Sequence, residues 1–274
     1  MKVGRDVLAQ VNTKAFPHMW CPGCGHGNAT NALATAFDNM GLDLEKVVMV
    51  GGIGCASRMP FYLNPSAMHT THGRALSFAT GIKLSRPELT VVVVVGDGDA
   101  LAIGGNHLIH ACRRNIDMTM LILNNSIYGM TGGQLAPTTP TGFRSTTSMA
   151  GNIEPSFDTM KLVLGAGATF AARTTTFDFQ EMPANMEAAI RHKGFSVVEV
   201  MSQCTTYFGR LNQLGEGREM LDYERDMTAP VSARSTAKDL AGALPIGIFH
   251  GAERPEYTGM YADMCERAKG KLNA

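Results

Sequence analysis

The sequence lacks the features of a nucleic-acid-binding, membrane-spanning or secreted protein. Its 24 lysines and arginines balance 24 aspartates and glutamates, which argues against nucleic acid or an anionic membrane as the main partner. The longest apolar run, "VVVVV" at residues 91–95, is far too short to span a bilayer. The amino-terminal stretch "MKVGRDVLAQ" contains no apolar segment of the kind found in signal peptides. We therefore expect a cytoplasmic protein.

The 274 residues also lack internal repeats, low-complexity tracts and any linker that would mark a domain boundary. A chain that is 45% hydrophobic and 18% charged can bury a sizeable core. We expect a single domain over residues 1–274, with a core at about 15–210 and an extended arm at about 211–274 that contacts a neighbouring subunit. The six cysteines do not suggest a disulfide framework in an intracellular chain of this size.

Four short apolar segments predict buried strands. They are "KVVMV", "LTVVVVV", "MTMLIL" and "FSVVEV". Each is apolar at successive positions, as in strands that are buried on both faces of a parallel sheet. Helical patterns lie between them, in "ATNALATAFDNMG", "RALSFATGIKLS", "GGNHLIHACRRN" and "PANMEAAIRHKG". This alternation favours an α/β fold with a doubly wound, mostly parallel sheet.

Open parallel sheets bind ligands just beyond the carboxyl ends of their strands. The residues that follow the four predicted strands include Cys55, Asp97, Asn125 and Cys204. If these strands run parallel in one sheet, all four side chains lie along the same edge.

The segment from Gly96 to Asn125 combines a phosphate-binding turn with oxygen ligands for a metal. Gly96 and Gly98 allow a tight turn and a close approach of backbone N–H groups to an anion. The carboxylate of Asp97 and the amide oxygen of Asn125 suit Mg²⁺. Gly-Asp-Gly followed 25 residues later by Asn-Asn resembles the signature of thiamine diphosphate enzymes. That resemblance implies that Asp97, Asn125 and the carbonyl of Ile127 hold Mg²⁺ on the cofactor's diphosphate.

The stretch "MWCPGCGHGN" places Cys21 and Cys24 in a C-x-x-C spacing. The spacing alone is compatible with half of a zinc site, a redox dithiol or half of an iron–sulfur site. Cys55 and Cys204 have no close partner in sequence, so only the fold could bring four thiols together. Structural zinc usually comes from two compact cysteine pairs, and a redox dithiol from a small thioredoxin-like domain. The wide separations therefore favour a cluster over both.

Longer segments carry a more specific resemblance. The motifs "WCPGCGHG", "GIGCASR", "SQC" and the whole stretch from "THGRALSFATG" to "NNSIYGMTGGQ" resemble the β subunits of the 2-oxoacid:ferredoxin oxidoreductases, most of all the 2-oxoglutarate type. The resemblance covers about residues 15–210. It implies that Cys21, Cys24, Cys55 and Cys204 ligate one [4Fe–4S] cluster. It places these residues around the thiamine cofactor: Ile53, Gly54, Cys55, His72, Gly96, Gly98, Asp99, Gly129 and Met130.

The resemblance also implies a reaction and partners. In such enzymes a 2-oxoacid, here 2-oxoglutarate, is decarboxylated oxidatively and reversibly to its coenzyme A thioester, and the cluster passes the electrons to ferredoxin. His72 is the candidate for catalysis, through a polar contact to substrate or proton transfer, although it also suits a structural role. A separate α subunit would supply the glutamate that activates the thiamine ring. We therefore expect this chain to be inactive alone and to form an α2β2 assembly.

Several alternatives stay open at this point. Pyruvate or a branched-chain 2-oxoacid could replace 2-oxoglutarate, whose second carboxylate needs a cation such as Arg58 or Arg74. A non-redox thiamine enzyme would not need the four cysteines. A zinc-stabilised assembly subunit without catalytic activity would not need Asp97 and Asn125.

Overall fold

The computed structural model describes residues 6–231 and 242–272. Ten strands and seven α-helices alternate along this part of the chain. In order they are α1 (His26–Met40), β1 (Val47–Gly51), β2 (Ser66–His69), α2 (Ala75–Ser85), β3 (Thr90–Gly96), α3 (Gly105–Arg114), β4 (Met118–Asn124), β5 (Ile127–Tyr128), β6 (Gln134–Leu135), α4 (Thr159–Gly165), β7 (Phe170–Thr175), α5 (Glu181–Arg191), β8 (Phe195–Met201), α6 (Gly217–Met227), β9 (Thr228–Pro230), β10 (Leu244–Gly251) and α7 (Tyr257–Leu272).

Eight strands form one sheet in the order β2-β1-β3-β4-β8-β7-β10-β9. All neighbouring pairs run parallel except β10 with β7, which is antiparallel. The four strands predicted from apolar runs are β1, β3, β4 and β8, and they are consecutive neighbours in the centre. The short strands β5 and β6 form a separate antiparallel hairpin. The predicted doubly wound, mostly parallel α/β fold is confirmed.

The run of valines in β3 shows why this sequence needs helices on both faces of the sheet. Val92 and Val94 pack into a core shared with α1 and α5. Val91, Val93 and Val95 point to the other face and pack with residues of α2, α3 and α4. Because alternate side chains of a strand point to opposite faces, a run without polar positions requires apolar cover on both.

The carboxyl-terminal segment, predicted as an extended arm at about 211–274, contains more regular structure than expected. Residues 244–251 form β10, which extends the sheet by pairing Ile248 with Ala172 of β7. The apolar signal of this strand is interrupted by Pro245 and Gly247, so the sequence does not read as a buried strand. The expected final helix is present as α7. Residues 1–5, 232–241 and 273–274 lie outside the described part, and the division into a core and an arm stays a prediction.

Within the described residues, none of the helices combines the length and the apolar character that a membrane span requires.

Candidate functional site

The carboxyl ends of β1, β3, β4 and β8 meet at one edge of the sheet and bring the predicted residues together there. A cavity of about 350 Å³ opens at this edge. All nine residues predicted to surround a cofactor line it: Ile53, Gly54, Cys55, His72, Gly96, Gly98, Asp99, Gly129 and Met130. The predicted metal ligands Asp97, Asn125 and Ile127 line it as well.

Gly98 sits in the turn after β3, directly under the ring of Tyr128. A Cβ atom at this position would lie 2.2 Å from Cε1 of Tyr128, so any other residue would displace the ring. The Tyr128 hydroxyl donates to the carbonyl of Gly98 at 3.3 Å. The backbone of Gly98 therefore borders the cavity without a side chain of its own, which is what close contact with an anion requires.

Three oxygen-bearing groups converge beside this turn. One amide atom of Asn125 lies 3.3 Å from Oδ1 of Asp97 and 2.7 Å from the carbonyl oxygen of Ile127. With nitrogen in that position, the amide donates to both groups. With oxygen there, three oxygens face one another, which is the arrangement that a cation between them requires. Adjacent oxygens on an octahedral Mg²⁺ lie about 2.9 Å apart, so the donor set fits the ion.

Asp97 is almost completely buried. Burial raises the pKa of its carboxyl group to about 7, although the Thr138 hydroxyl and the backbone N–H groups of Asp97 and Gly98 act in the opposite direction. Thr138 donates to Oδ2 of Asp97. A divalent cation at Oδ1 would favour the ionised carboxylate.

Asp99 ties two loops of the cavity wall together. Its carboxylate accepts from the backbone N–H of Ile53 at 2.8 Å and from the backbone N–H of Gly73. The Ser57 hydroxyl donates to the same carboxylate at 3.3 Å. The carboxylate is thus occupied by the protein, and Asp99 shapes the cavity chiefly by positioning the loops after β1 and β2.

His72 lies in the second of these loops and borders the cavity. Its Nδ1 is 3.3 Å from the carbonyl oxygen of Ile53 and 3.8 Å from Oδ1 of Asp99. Because both neighbours are acceptors, Nδ1 carries the proton in the neutral ring, and Nε2 is left as an acceptor. The ring centroid is 5.9 Å from that of Tyr128. His72 is thus oriented for contact with a ligand, while its catalytic role stays a prediction.

The four cysteines come from three loops that are tied together by hydrogen bonds. Trp20 donates its indole N–H to the carbonyl of Cys55 at 2.8 Å. The Thr205 hydroxyl donates to the carbonyl of Pro22 at 2.9 Å, and the Gly25 N–H donates to the carbonyl of Gln203 at 3.1 Å. These bonds join the C-x-x-C loop to the chain segments that follow β1 and β8.

The four cysteines are free, and the Cys24 thiol lies close enough to Cys21, Cys55 and Cys204 to interact with them electrostatically. A Cβ atom at Gly129 would lie 3.6 Å from Sγ of Cys204 and 4.0 Å from Sγ of Cys55. Burial raises the pKa of Cys24 to about 12, and negative charge on Cys204, Cys55 and Cys21 adds to the effect. Burial likewise raises the pKa of Cys55 to about 11. Thiols in this setting stay protonated unless a positively charged group stabilises the thiolates.

Among the side chains that the structure describes, no three His, Cys, Asp or Glu residues converge as a site for one metal ion. A four-iron cluster spaces its cysteine sulfurs more widely than one zinc ion does, so it does not require that convergence. Of the two remaining cysteines, Cys112 is fully buried in α3 and Cys265 lies in α7.

Sequence reasoning missed three residues of this site. Tyr128 covers Gly98, and Thr138 donates to Asp97. His26 begins α1, borders the cavity and bonds through Nδ1 to the Ser202 hydroxyl at 3.0 Å. Burial lowers the pKa of His26 to about 4, so its ring is neutral. Tyr128 and His26 carried a signal, because Tyr128 lies three residues after Asn125 and His26 lies two residues after Cys24.

Known proteins are similar to this chain in sequence. Residues 50–200 match the family described as thiamine pyrophosphate enzyme, C-terminal TPP binding domain. The 2-oxoglutarate synthase subunit KorB of Methanothermobacter marburgensis is 44% identical over 268 residues, covering 97% of this chain and 94% of that one. The subunit of the same name from Archaeoglobus fulgidus is 53% identical over 197 residues, covering 72% of this chain and 73% of that one.

A solved structure is similar over nearly the whole fold. It is a 2-oxoglutarate:ferredoxin oxidoreductase from Magnetococcus marinus with 2-oxoglutarate, coenzyme A and succinyl-CoA bound. The TM-score is 0.88 at 32% sequence identity, and the alignment covers 98% of this chain and 92% of that one.

Proposed function

Because the chain belongs to the β subunits of the 2-oxoacid:ferredoxin oxidoreductases, we propose that it forms the thiamine diphosphate and electron-transfer side of an enzyme that oxidises 2-oxoglutarate to succinyl-CoA. The observation that carries the proposal is the position of Cys55. It lines the cofactor cavity, and its thiol also belongs to the four-cysteine group. A redox centre held by these cysteines would share a wall with the cofactor.

The chain's own residues fit thiamine diphosphate and Mg²⁺. Asp97, Asn125 and the Ile127 carbonyl would hold the ion, and the Gly98 turn would receive the diphosphate on its backbone. When bound, thiamine diphosphate supplies the electron sink on which a 2-oxoacid loses CO₂. Asp99 fixes the loops that carry Ile53 and Gly73, and His72 presents Nε2 for a polar contact. These side chains shape the cavity before any ligand arrives.

Cys21, Cys24, Cys55 and Cys204 would ligate one [4Fe–4S] cluster. The raised pKa values of Cys24 and Cys55 support this assignment, because they indicate buried thiols without a positively charged partner among the described residues. Cluster iron would provide that charge and keep the thiolates deprotonated. Zinc bound by the same cysteines in a non-catalytic assembly subunit is the alternative, which measurement of the bound metals distinguishes.

The substrate needs a cation for its second carboxylate, and two arginines near the cavity loops are candidates. Arg74 Nη1 lies 2.5 Å from Nε2 of His107, and Arg58 packs its guanidinium 6.0 Å above the ring of Phe61. Among residues 6–231 and 242–272, none of the ion pairs includes Arg58 or Arg74. Pyruvate and branched-chain 2-oxoacids remain the alternative substrates.

An α subunit would supply the missing glutamate and cover the cavity. In support, Ile53 and Met130 border the cavity and expose 42% and 40% of their surface, which is unusual for apolar side chains beside a ligand site. We expect an α2β2 enzyme in the cytoplasm, with coenzyme A as the acyl acceptor and ferredoxin as the electron acceptor.

An activity assay tests the proposed function. The chain is produced with and without its α subunit, and reduction of methyl viologen is followed with coenzyme A and each of several 2-oxoacids. We expect turnover only from the assembled enzyme, with kcat/KM highest for 2-oxoglutarate. Turnover by the single chain would contradict an active site shared by two subunits. A higher kcat/KM for pyruvate would identify pyruvate as the substrate in place of 2-oxoglutarate.

A further inference from the structure

The four cysteines differ in their access to solvent. Cys204 exposes only 9% of its surface, Cys24 and Cys55 are half-buried, and Cys21 is exposed. Pro22 and Gly23, which follow Cys21, are exposed as well. A redox centre at these cysteines is therefore deeply buried on the side of β8 and closest to solvent at the C-x-x-C loop. An electron leaving for another protein has its shortest path there.

A surface groove of about 780 Å³ runs along this loop. We name it the cysteine-loop groove. Its lining residues are Pro22, Gly23, Thr205, Thr206, Gly209, Arg210, Gln213, Gly215, Glu216 and Gly217. The start of α6 forms the opposite wall.

The wall is fixed by a backbone contact that only glycine permits. Gly23 has φ of +74°, and a Cβ there would lie 2.9 Å from Cα of Gly217. The two glycines thus bring the first turn of α6 against the cysteine loop. Residues at the start of α6 keep a fixed distance from Cys21.

Three exposed arginines lie in the groove or in segments next to it. Arg210 lines it, Arg218 follows Gly217 in α6, and Arg144 is joined through its backbone to the side chain of Asn212. Within the described part of the chain, no carboxylate or hydrogen-bond acceptor pairs with any of these three guanidinium groups. Other arginines are paired: Arg173 with Glu199, and Arg225 with Asp222.

The nearby acidic groups only partly offset this charge. Glu219 turns back and accepts from the backbone N–H of Glu216 at 3.1 Å, so it caps α6. Glu216 remains as the one carboxylate that lines the groove. Because both glutamates keep their negative charge, the three arginines exceed them by one positive charge at the surface beside the exposed cysteine.

We propose that the cysteine-loop groove docks an acidic one-electron carrier protein, with Arg144, Arg210 and Arg218 as the residues that attract it. The proposal rests on the proposed function. Oxidation of one 2-oxoacid, R-CO-COO⁻ with HS-CoA, gives R-CO-S-CoA, CO₂, H⁺ and two electrons. The carrier accepts one electron at each visit, so each turnover reduces two carriers. Electron-transfer complexes are typically small and short-lived, and charges at their rim mainly set the association rate.

The test compares charge reversal at the groove with charge reversal elsewhere. The assembled enzyme is prepared as Arg210→Glu, as Arg218→Glu and as a control, Arg191→Glu, which changes an exposed arginine at the end of α5. Rates are measured with a purified acidic ferredoxin and, separately, with methyl viologen, which is too small to need a docking surface. We expect the KM for ferredoxin to rise on the order of tenfold in the two groove variants. The methyl viologen rate and the KM for the 2-oxoacid should not change.

Ionic strength provides a second readout. The KM for ferredoxin should increase with salt in the wild type and in Arg191→Glu, and less steeply in the groove variants, because exposed charges are screened. An unchanged ferredoxin KM in both groove variants would overturn the proposal. Loss of the αβ assembly on size-exclusion chromatography would also overturn it, since the groove would then be a subunit interface. Failure of the wild type to reduce methyl viologen would instead contradict the proposed function.

Discussion

Two buried carboxylates near the carboxyl edge of the sheet have opposite surroundings. Glu199 of β8 accepts from Arg173 Nε at 2.6 Å, from Asn124 Nδ2 at 2.8 Å and from Thr159 Oγ1 at 2.5 Å. Asp97 is equally buried, but its hydrogen-bond donors are all neutral: they are the Thr138 hydroxyl and the backbone N–H groups of Asp97 and Gly98, and the amide of Asn125 lies beside Oδ1. No cationic side chain of the described residues is paired with it.

The different surroundings of Glu199 and Asp97 indicate a structural role for Glu199 and a ligand-binding role for Asp97. A buried charge is stable when the chain itself supplies a counter-charge and hydrogen bonds, as it does for Glu199. A buried carboxylate whose hydrogen-bond donors are all neutral lacks the counter-charge, and a cation from outside the chain can provide it. Removing Glu199 should therefore damage the fold, and removing the charge of Asp97 should damage only ligand binding.

The largest expected effect follows from Glu199→Gln. The variant leaves Arg173 buried without its main partner, and we expect the free energy of unfolding to fall by about 3–5 kcal/mol. Chemical denaturation monitored by circular dichroism measures this change. Glu154→Gln, at an exposed position, is the control and should stay within about 0.5 kcal/mol of the wild type. A small effect of Glu199→Gln would show that Asp158, which also pairs with Arg173, is sufficient to stabilise the buried guanidinium.

Asp97→Asn should lower cofactor affinity without lowering the stability of the fold. The free energy of unfolding should stay the same or rise, because an uncompensated buried carboxylate is removed. The affinity of the assembled enzyme for thiamine diphosphate with Mg²⁺, measured by calorimetry, should fall by about 100-fold or more. Retention of the iron–sulfur signal in this variant would show that the neighbouring cysteines are intact. If Asp97→Asn instead destabilises the fold as strongly as Glu199→Gln, Asp97 is structural.

The smallest expected effects come from a matched pair of hydroxyl donors, Thr159 to Glu199 and Thr138 to Asp97. Thr159→Val removes the hydroxyl from Glu199 and should cost about 1.5–3 kcal/mol of stability with cofactor affinity unchanged. Thr138→Val removes the hydroxyl from Asp97 and should weaken Mg²⁺-dependent cofactor binding about tenfold. Denaturation and calorimetry on both variants separate the two effects. Equal losses of cofactor affinity in the two variants would contradict the assignment of Glu199 to the fold and Asp97 to cofactor binding.

The central strands were predictable because their apolar runs need burial on both faces. The buried strand β7, "FAARTT", was not, since Arg173 enters the core only by lying opposite Glu199 of β8. That pairing depends on strand register and cannot be read from either segment alone. Strand β10 was hidden by Pro245 and Gly247, which interrupt its pattern.

The site was predictable where a spacing carried chemistry. The turn at Asp97, the paired asparagines and the C-x-x-C loop each have a recognisable pattern, and the structure brings them to one edge. Thr138 reaches the site from a loop whose sequence has no such pattern. Its contribution follows from tertiary contacts only.

The central claim is that four distant cysteines hold one redox cluster beside the thiamine cavity. Low-temperature EPR of the anaerobically purified, dithionite-reduced protein tests it most directly, with Cys204→Ser compared with Cys112→Ser. Both cysteines are buried, but only Cys204 belongs to the group. We predict a reduced [4Fe–4S] signal in the wild type and in Cys112→Ser, and an altered or absent signal in Cys204→Ser. Stoichiometric zinc without an iron–sulfur signal, or identical spectra in all three proteins, would contradict the account.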